Sequence, residues 1–380
     1  MNFKSGLLRT LERLDRHSMA RRLAHLTGLL VCLGLRSLNA MPFTPAQCQA
    51  LASMVRSNPD AAKLYRKFQR LADASLADAP QPVRQIATAG RLASDPAKVE
   101  SRRTLADMNK TEALGFAYAV TSGTGYGTAA KRMILDWSAT YQPSGQPIDE
   151  TKLQPLFAAY GLTRPVFTEM ERHSVESWLR RIAQREWDGV RPGSVTASNN
   201  WNSHRLNIVG QIGFLLRDQT WIGRAVSGFK EQIEFNLRPD GSSLDFHERD
   251  ALYYHCYDLE PLLALAIAAH QQGLDLYHYQ APNEASLAKS VEFLVPYCQG
   301  AATHAEWVDS TVAFDRARAK NGEAAFAAGA EFNPQRGLPV LAMASFFDQS
   351  LNPLVARLAH RKEAVPFPVW QSVLNQALRE

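Results

Sequence analysis

The stretch "RLNIVGQIGFLLRDQTWIGRAVSGFKEQIEF", Arg205 to Phe235, decides the fold. It reads as a helix, a short polar break at Arg217-Asp218, and a second helix. The same plan recurs in "EALGFAYAVTSGTGYGTAAKRMILDWSATY", Glu112 to Tyr141, and in Asp258 to Cys298. Identity among these units is low, but successive αα-hairpins of this kind stack and bury their apolar faces between neighbours. Thr44 to Leu76 supplies two more helices, parted near Asn58-Pro59. No long alternating run indicates a sheet, and no linker divides the chain. The expectation is one all-α domain over residues 41–380, a curved or closed ring of stacked helical hairpins. The Gly-rich "TSGTGYGTAAKR", Thr121 to Arg132, lacks the phosphate-binding G-x-x-x-x-G-K-[ST] pattern and follows no strand, so it is read as a hairpin turn.

Just before the opening stretch stands "SNNWNSHR", Ser198 to Arg205. Asn200, Ser203, His204, Asn207 and Gln211 fall at i, i+3, i+4, i+7 and i+11, one stripe of a helix. A solvated stripe would carry Lys and Glu. Amides, a hydroxyl and an imidazole suit a partly dehydrated cleft instead. The plain alternative is that Ser198 or Asn199 only caps the helix and that His204 is a satisfied core histidine.

A second unusual stretch is "RPDGSSLDFHERDALYYHCYDLEPLL", Arg238 to Leu263. After a Pro239-Asp240-Gly241 turn it gathers Asp245, His247, Glu248, Arg249 and Asp250 beside Tyr253, Tyr254, His255 and Tyr257. Aromatic residues at helical spacing are commonly core, yet these carry many polar ends that need partners when buried.

Composition narrows the function classes. With a hydrophobic share of 46% and a charged share of 21%, the chain is ordinary globular material. Residues 1–40 hold seven Lys/Arg and two acids, which accounts for the whole excess of +5. The remainder is formally neutral, so no general attraction to nucleic acid follows, and an anionic ligand must be held by local charges. "MARRLAHLTGLLVCLGLRSLNA", Met19 to Ala40, has a basic start, an apolar core at Leu26–Leu35 and a small residue at the cut site. It reads as a complete signal peptide, with translation starting at Met19 and a periplasmic or secreted destination. Its apolar run is too short to span a bilayer comfortably. The remaining cysteines, Cys48, Cys256 and Cys298, fit no zinc motif and leave at least one thiol unpaired. Neither a metal nor a cofactor is called for, and a monomer is expected.

Together the clusters supply a recognisable chemistry. A uronic acid polymer can be cut by β-elimination, which removes the C5 proton and expels the 4-linked oxygen. The carboxylate beside C5 must be neutralised, and a base and an acid must stand at the two ends of the bond change. Arg is a permanent cation, Asn a neutral donor, His a base near neutrality, and Tyr a proton donor to a departing alkoxide. Asn200, His204, Arg249 and Tyr257 provide one group for each task. Asn199, Trp201, Asn202, Tyr254 and His255 are the candidate substrate contacts.

These residues carry a family resemblance. "YGTAAKRMILDWSATYQPSGQPIDETKLQPLFAAYGL", "NNWNSHR", "DGSSLDFHERDALYYHCYDLEPLL" and "FLVPYCQGAATHAEWVDSTVAFDRARA" resemble the alginate lyase family over most of residues 100–350. The resemblance implies an exported α/α toroid that cuts mannuronate-containing polymers with an Asn-Asn-His element, an Arg, and the Tyr of a Tyr-His-x-Tyr element. Here Tyr254-His255-Cys256-Tyr257 makes Tyr257 the matching tyrosine. Two positions depart: Trp201 stands where the family's His follows the Asn pair, with His204 one helical turn on, and Asp250 stands where the family's Arg is common, with Arg249 beside it. The expected substrate is a β-1,4-linked uronan, polymannuronate first and glucuronan next. The alternatives are a catalytically idle carbohydrate-binding toroid, resting on those departures, and a glycoside hydrolase drawing a carboxylate pair from Asp245, Glu248 and Asp250.

Overall fold

The structure is a computed structural model that describes residues 43–360 and 365–380; the export segment read over residues 1–40 lies outside them. Helices follow one another as α1 (Pro45–Ser57), α2 (Pro59–Ser75), α3 (Pro96–Thr104), α4 (Ala106–Thr121), α5 (Thr124–Thr140), α6 (Pro147–Glu150), α7 (Gln154–Thr163), α8 (Glu169–Asp188) and α9 (Asn200–Leu216). Then come α10 (Gln219–Asn236), α11 (Leu244–Arg249), α12 (Leu252–His270), α13 (Leu287–Gln299), α14 (Ala313–Lys320), α15 (Leu338–Ala344), α16 (Asn352–Leu358) and α17 (Trp370–Arg379). Among the described residues no helix is long and apolar enough to cross a membrane.

Local chemistry sets the breaks. Asn58 leaves helical geometry after α1, and its side chain accepts from the amides of Asp60 and Ala61, so one residue ends α1 and starts α2. Pro59 at the first position of α2 lacks only an amide hydrogen the helix would not use. In the opening hairpin Arg217 turns left-handed (φ 54°) and Asp218 caps α10 through Thr220 and Trp221. The Gly-rich stretch is a tight turn at Ser122-Gly123 between α4 and α5, as read.

Packing turns the hairpins into a closed circuit. Helix α4 packs on α7, α7 on α9, α9 on α12, α12 on α15 and α15 on α17; α17 returns to α1 and α2, which lie on α4. The inner helices are apolar nearly all round, as enclosure on every side requires; residues 258–269 of α12 are all buried. Two glycines allow the closest approaches: a Cβ on Gly115 would stand 2.9 Å from the Ala159 Cα, and one on Gly213 would stand 2.9 Å from the Ile222 amide nitrogen. The circuit closes through Trp370, whose ring lies 5.0 Å from Phe68 and 5.4 Å from Phe116. Gln47 and Gln271 both donate to the Leu378 carbonyl, at 3.3 and 2.9 Å.

One small feature was absent from the sequence reading. Strands β1 (Ala305–Glu306) and β2 (Ala330–Glu331) pair antiparallel. Strand β1 leads directly into Trp307, whose amide donates to the Asp250 carbonyl at 2.7 Å and whose ring packs into the cluster described next.

Candidate active site

The site forms where the start of α9 meets α11, the first turns of α12 and the segment around α14. Asn199 is the N-cap of α9, its side chain accepting from the Trp201 amide at 3.1 Å. Asn200 is bound to Asp245 twice: its backbone amide donates at 2.6 Å and its side-chain amide reaches the other carboxylate oxygen. Burial pushes the Asp245 carboxyl up to about 7. Arg249 Nε stands 3.9 Å from Asp245, while its Nη1 meets Asp315 at 2.5 Å and its guanidinium lies 3.7 Å above the Tyr254 ring.

His204 and Tyr257 come together from different helices, their ring centroids 4.5 Å apart. Thr151 places its hydroxyl 3.1 Å from Nδ1 of His204. Tyr254 stands edge-on to Tyr257 at 5.8 Å, and its hydroxyl accepts from Arg318 at 3.0 Å. Arg318 covers the Phe326 ring at 3.4 Å, and Arg336 covers Tyr253 at 4.6 Å while pairing with Glu260 at 2.9 Å. One wall is therefore an aromatic block of Tyr253, Tyr254, Trp307 and Phe326 faced by guanidinium groups, each with an acid behind it.

Several sequence expectations change here. The polar stripe of α9 is an internal seam against α12 and its neighbours rather than a cleft lining. Ser203 donates to Asp258 at 2.6 Å, and Gln211 donates to Asn207 and to the Ala264 carbonyl, all fully covered. Only Asn200 and His204, at its start, reach the site. Asn200 itself is buried, and its donors point to Asp245, so it fixes the start of α9 to α11. Asn199 is likewise a buried cap. Trp201, Asn202 and Tyr257 are partly open, although Asn202 also donates to Gln232 at 2.8 Å.

His255, read as a substrate contact, is fully buried and faces the other way. Its ring nitrogens meet Ser243 Oγ at 2.9 Å and the Ser290 carbonyl at 3.0 Å. Burial lowers its pKa from the ordinary 6.5 to about 4. The fold thus binds this proton less tightly than the unfolded chain does. The resulting stability is present above pH 6.5 and is lost as the pH falls toward 4, a contribution of about 3 kcal/mol. In urea titrations across this window, His255→Gln is expected to flatten the acid-side slope of unfolding free energy by close to one proton. An unchanged slope would remove His255 as the source.

The segment Val83 to Arg103, rich in basic residues, is pinned through its middle. Thr88 and Ala89 donate to Asp149, and Ala93 donates to Glu323. Two of its arginines are paired locally, Arg91 with Asp95 and Arg103 with Glu100.

The alginate lyase family model matches residues 54–307. The chain belongs to the alginate lyase family. Among solved structures it is similar to an alginate lyase from Bacteroides ovatus, with a TM-score of 0.63 and 17% identity over 88% of this chain and 98% of that one. It is also similar to alginate lyase A1-III from Sphingomonas species A1, with a TM-score of 0.52 and 19% identity over 70% and 80%. A histidine-to-alanine variant of A1-III, complexed with a tetrasaccharide, matches with a TM-score of 0.55 and 17% identity over 83% and 90%. No curated protein matches in sequence. The fold is the α/α toroid, and the protein is a polysaccharide lyase.

Within this alginate lyase family member, Trp201 and Asp250 occupy the two departing positions. Asp250 ends α11 in a left-handed turn (φ 50°) and accepts from the Asp309 amide at 3.0 Å. That turn leaves Arg249, its neighbour, directed at Asp315 and Tyr254. The sequence reading missed Thr151, Asp315, Arg318 and Arg336. Thr151 lies in "PIDETKL" and Asp315 and Arg318 in "FDRARA", both inside stretches already carrying the family resemblance; Arg336 has no local signal.

Proposed function

We propose that this lyase cleaves a 1,4-linked uronan by β-elimination, with polymannuronate the preferred substrate and glucuronan the next. The observation that carries the reading is the His204–Tyr257 pair, two proton-handling side chains in ring contact. His204 takes the C5 proton; the C–H electrons form the C4–C5 double bond as the bond to O4 breaks; and Tyr257 gives O4 its proton. The imidazolium of His204 then returns a proton to Tyr257, so C5's proton is in effect carried to O4 and both side chains are reset. Arg249 supports the charge that develops on the substrate carboxylate. Asn200 and Asp315 hold Arg249 and the start of α9 in place.

Two groups in contact serve one face of a sugar ring. In D-mannuronate and D-glucuronate the C5 hydrogen and O4 lie on the same face, whereas in L-guluronate and D-galacturonate they lie on opposite faces. The geometry therefore favours the first two. The hydrolase alternative loses support because two of its three carboxylates are committed, Asp245 to Asn200 and Asp250 to the Asp309 amide, which leaves Glu248 without a partner for a carboxylate pair. The test is a panel of polymannuronate, polyguluronate, glucuronan and polygalacturonate, followed by ultraviolet absorbance of the unsaturated uronate product. A rise with polymannuronate or glucuronan is expected. A rise confined to the two opposite-face polymers would overturn the single-face assignment, and saturated products would return the hydrolase.

A further inference from the structure

A neutral imidazole carries one ring hydrogen, and the partners of the two nitrogens decide which of them holds it. In His204, Nδ1 lies 3.1 Å from the Thr151 hydroxyl. A hydrogen on Nδ1 leaves Nε2 with a lone pair that can take a proton. A hydrogen on Nε2 makes that nitrogen a donor, unable to act as a base.

Thr151 is firmly held. It opens the single 3-10 turn Thr151–Leu153 directly after α6, and both acids at the end of α6 are anchored. Asp149 accepts from the Thr88 and Ala89 amides at 2.7 and 2.9 Å. Glu150 accepts from the Ser144 amide at 2.5 Å and from the Tyr141 hydroxyl at 3.2 Å. Across from them Arg205, the residue after His204, pairs with Glu186 of α8 at 3.4 Å, both side chains being almost wholly covered. Burial pushes the Glu186 carboxyl well above its usual range, and the Glu150 carboxyl beside it adds to the rise. Two buried carboxyls in contact do not both ionise, so this pair keeps a proton between them. Residues 150–151 therefore meet residues 204–205 twice. Thr151 touches His204 directly, and Glu150 reaches Arg205 through Glu186.

A hydroxyl has the chemistry this place requires. Its oxygen accepts from Nδ1–H in the neutral ring, and it goes on accepting once Nε2 has taken a proton and both nitrogens are donors. We propose that Thr151 is a positioning residue: by accepting the Nδ1 hydrogen it holds His204 in the tautomer whose Nε2 removes the C5 proton. The proposal rests on the base role given to His204 above.

The test reads the tautomer by nuclear magnetic resonance of the full chain, isotope-labelled on the histidine ring nitrogens. The His204 signals are assigned by their loss in His204→Asn. With the ring neutral, the parent should carry its hydrogen on Nδ1. Thr151→Val keeps the side-chain shape and leaves Nδ1–H without an acceptor. It should move much of the population to Nε2–H, lower kcat on polymannuronate about tenfold and keep KM within about twofold. Thr151→Ser should bring kcat back to within about twofold of the parent. Thr163→Val is the control for a lost buried hydroxyl. That side chain donates to the Ala159 carbonyl at 2.7 Å within α7, and its removal should leave kcat and the tautomer unchanged. A parent with its hydrogen on Nε2 would overturn the proposal, as would undiminished kcat in Thr151→Val. Thr151→Ser as slow as Thr151→Val would also overturn it, by assigning the effect to packing. If the Nδ1 hydrogen depends on Thr151 but no uronan is cleaved, the lyase substrate fails and the tautomer assignment stands. If uronan is cleaved by a parent holding Nε2–H, the substrate stands and the tautomer assignment fails.

Discussion

Replacing Tyr257 by Phe is expected to lower kcat by about 1,000-fold, within the range by which a positioned proton donor contributes. KM on polymannuronate should move by less than about threefold, because the lost hydroxyl acts on O4 in the transition state rather than in binding. The substitution isolates that hydroxyl. A Phe ring keeps the contacts with His204 at 4.5 Å and Tyr254 at 5.8 Å, so the thermal midpoint should hardly change. Initial rates of unsaturated product formation check it. Turnover above about one tenth of the parent's would take the proton-donor role away from Tyr257. In that event His204 alone would have to serve both ends of the bond change.

Arg249→Met is expected to damage stability and activity together. The guanidinium meets Asp315 at 2.5 Å, with side-chain exposures of 11% and 1%. Removing one member of so buried a pair leaves a carboxylate without its cation, at a cost of about 3 kcal/mol. Burial already raises the Asp315 carboxyl, and Arg249 opposes that rise. Without Arg249 the Asp315 pKa climbs further. A carboxyl raised in the fold favours the folded state at low pH and loses that contribution as pH increases, so the variant should be hurt more at pH 8 than at pH 5. Adding Asp315→Asn should recover much of the thermal midpoint and none of the turnover, because the cation for the substrate carboxylate is still missing. Recovery of turnover in the double variant would show that Arg249 serves the fold alone.

The helical hairpins were legible because each signal was local: an apolar run of helical period, an Asn-Pro break, an Arg-Asp break. The Tyr254-His255-Cys256-Tyr257 element was legible for the same reason. His204 was readable only as a polar residue one turn beyond an Asn pair; its meeting with Tyr257 depends on how α9 crosses α12, which no spacing encodes. The α9 stripe misled because amides suit a buried polar seam as well as a cleft wall, and the choice is made by Asp258 and Ala264 across the interface. His255 misled in the opposite direction, since Ser243 and the Ser290 carbonyl capture it from behind. Arg318 and Arg336 reach the aromatic block from segments distant in sequence, and an arginine far along the chain carries no mark of what it will face.

Closure of the helical circuit by α17 also sets a schedule for biosynthesis. The Gln47–Leu378 hydrogen bond joins residues 331 positions apart, and the Phe68 and Phe116 rings await Trp370 for their cover. At ordinary translation rates roughly 15 to 60 seconds separate the emergence of Phe68 from that of Trp370. Through that interval the nascent polypeptide presents an uncovered aromatic surface, so a holding chaperone has its longest opportunity on α2 and α4.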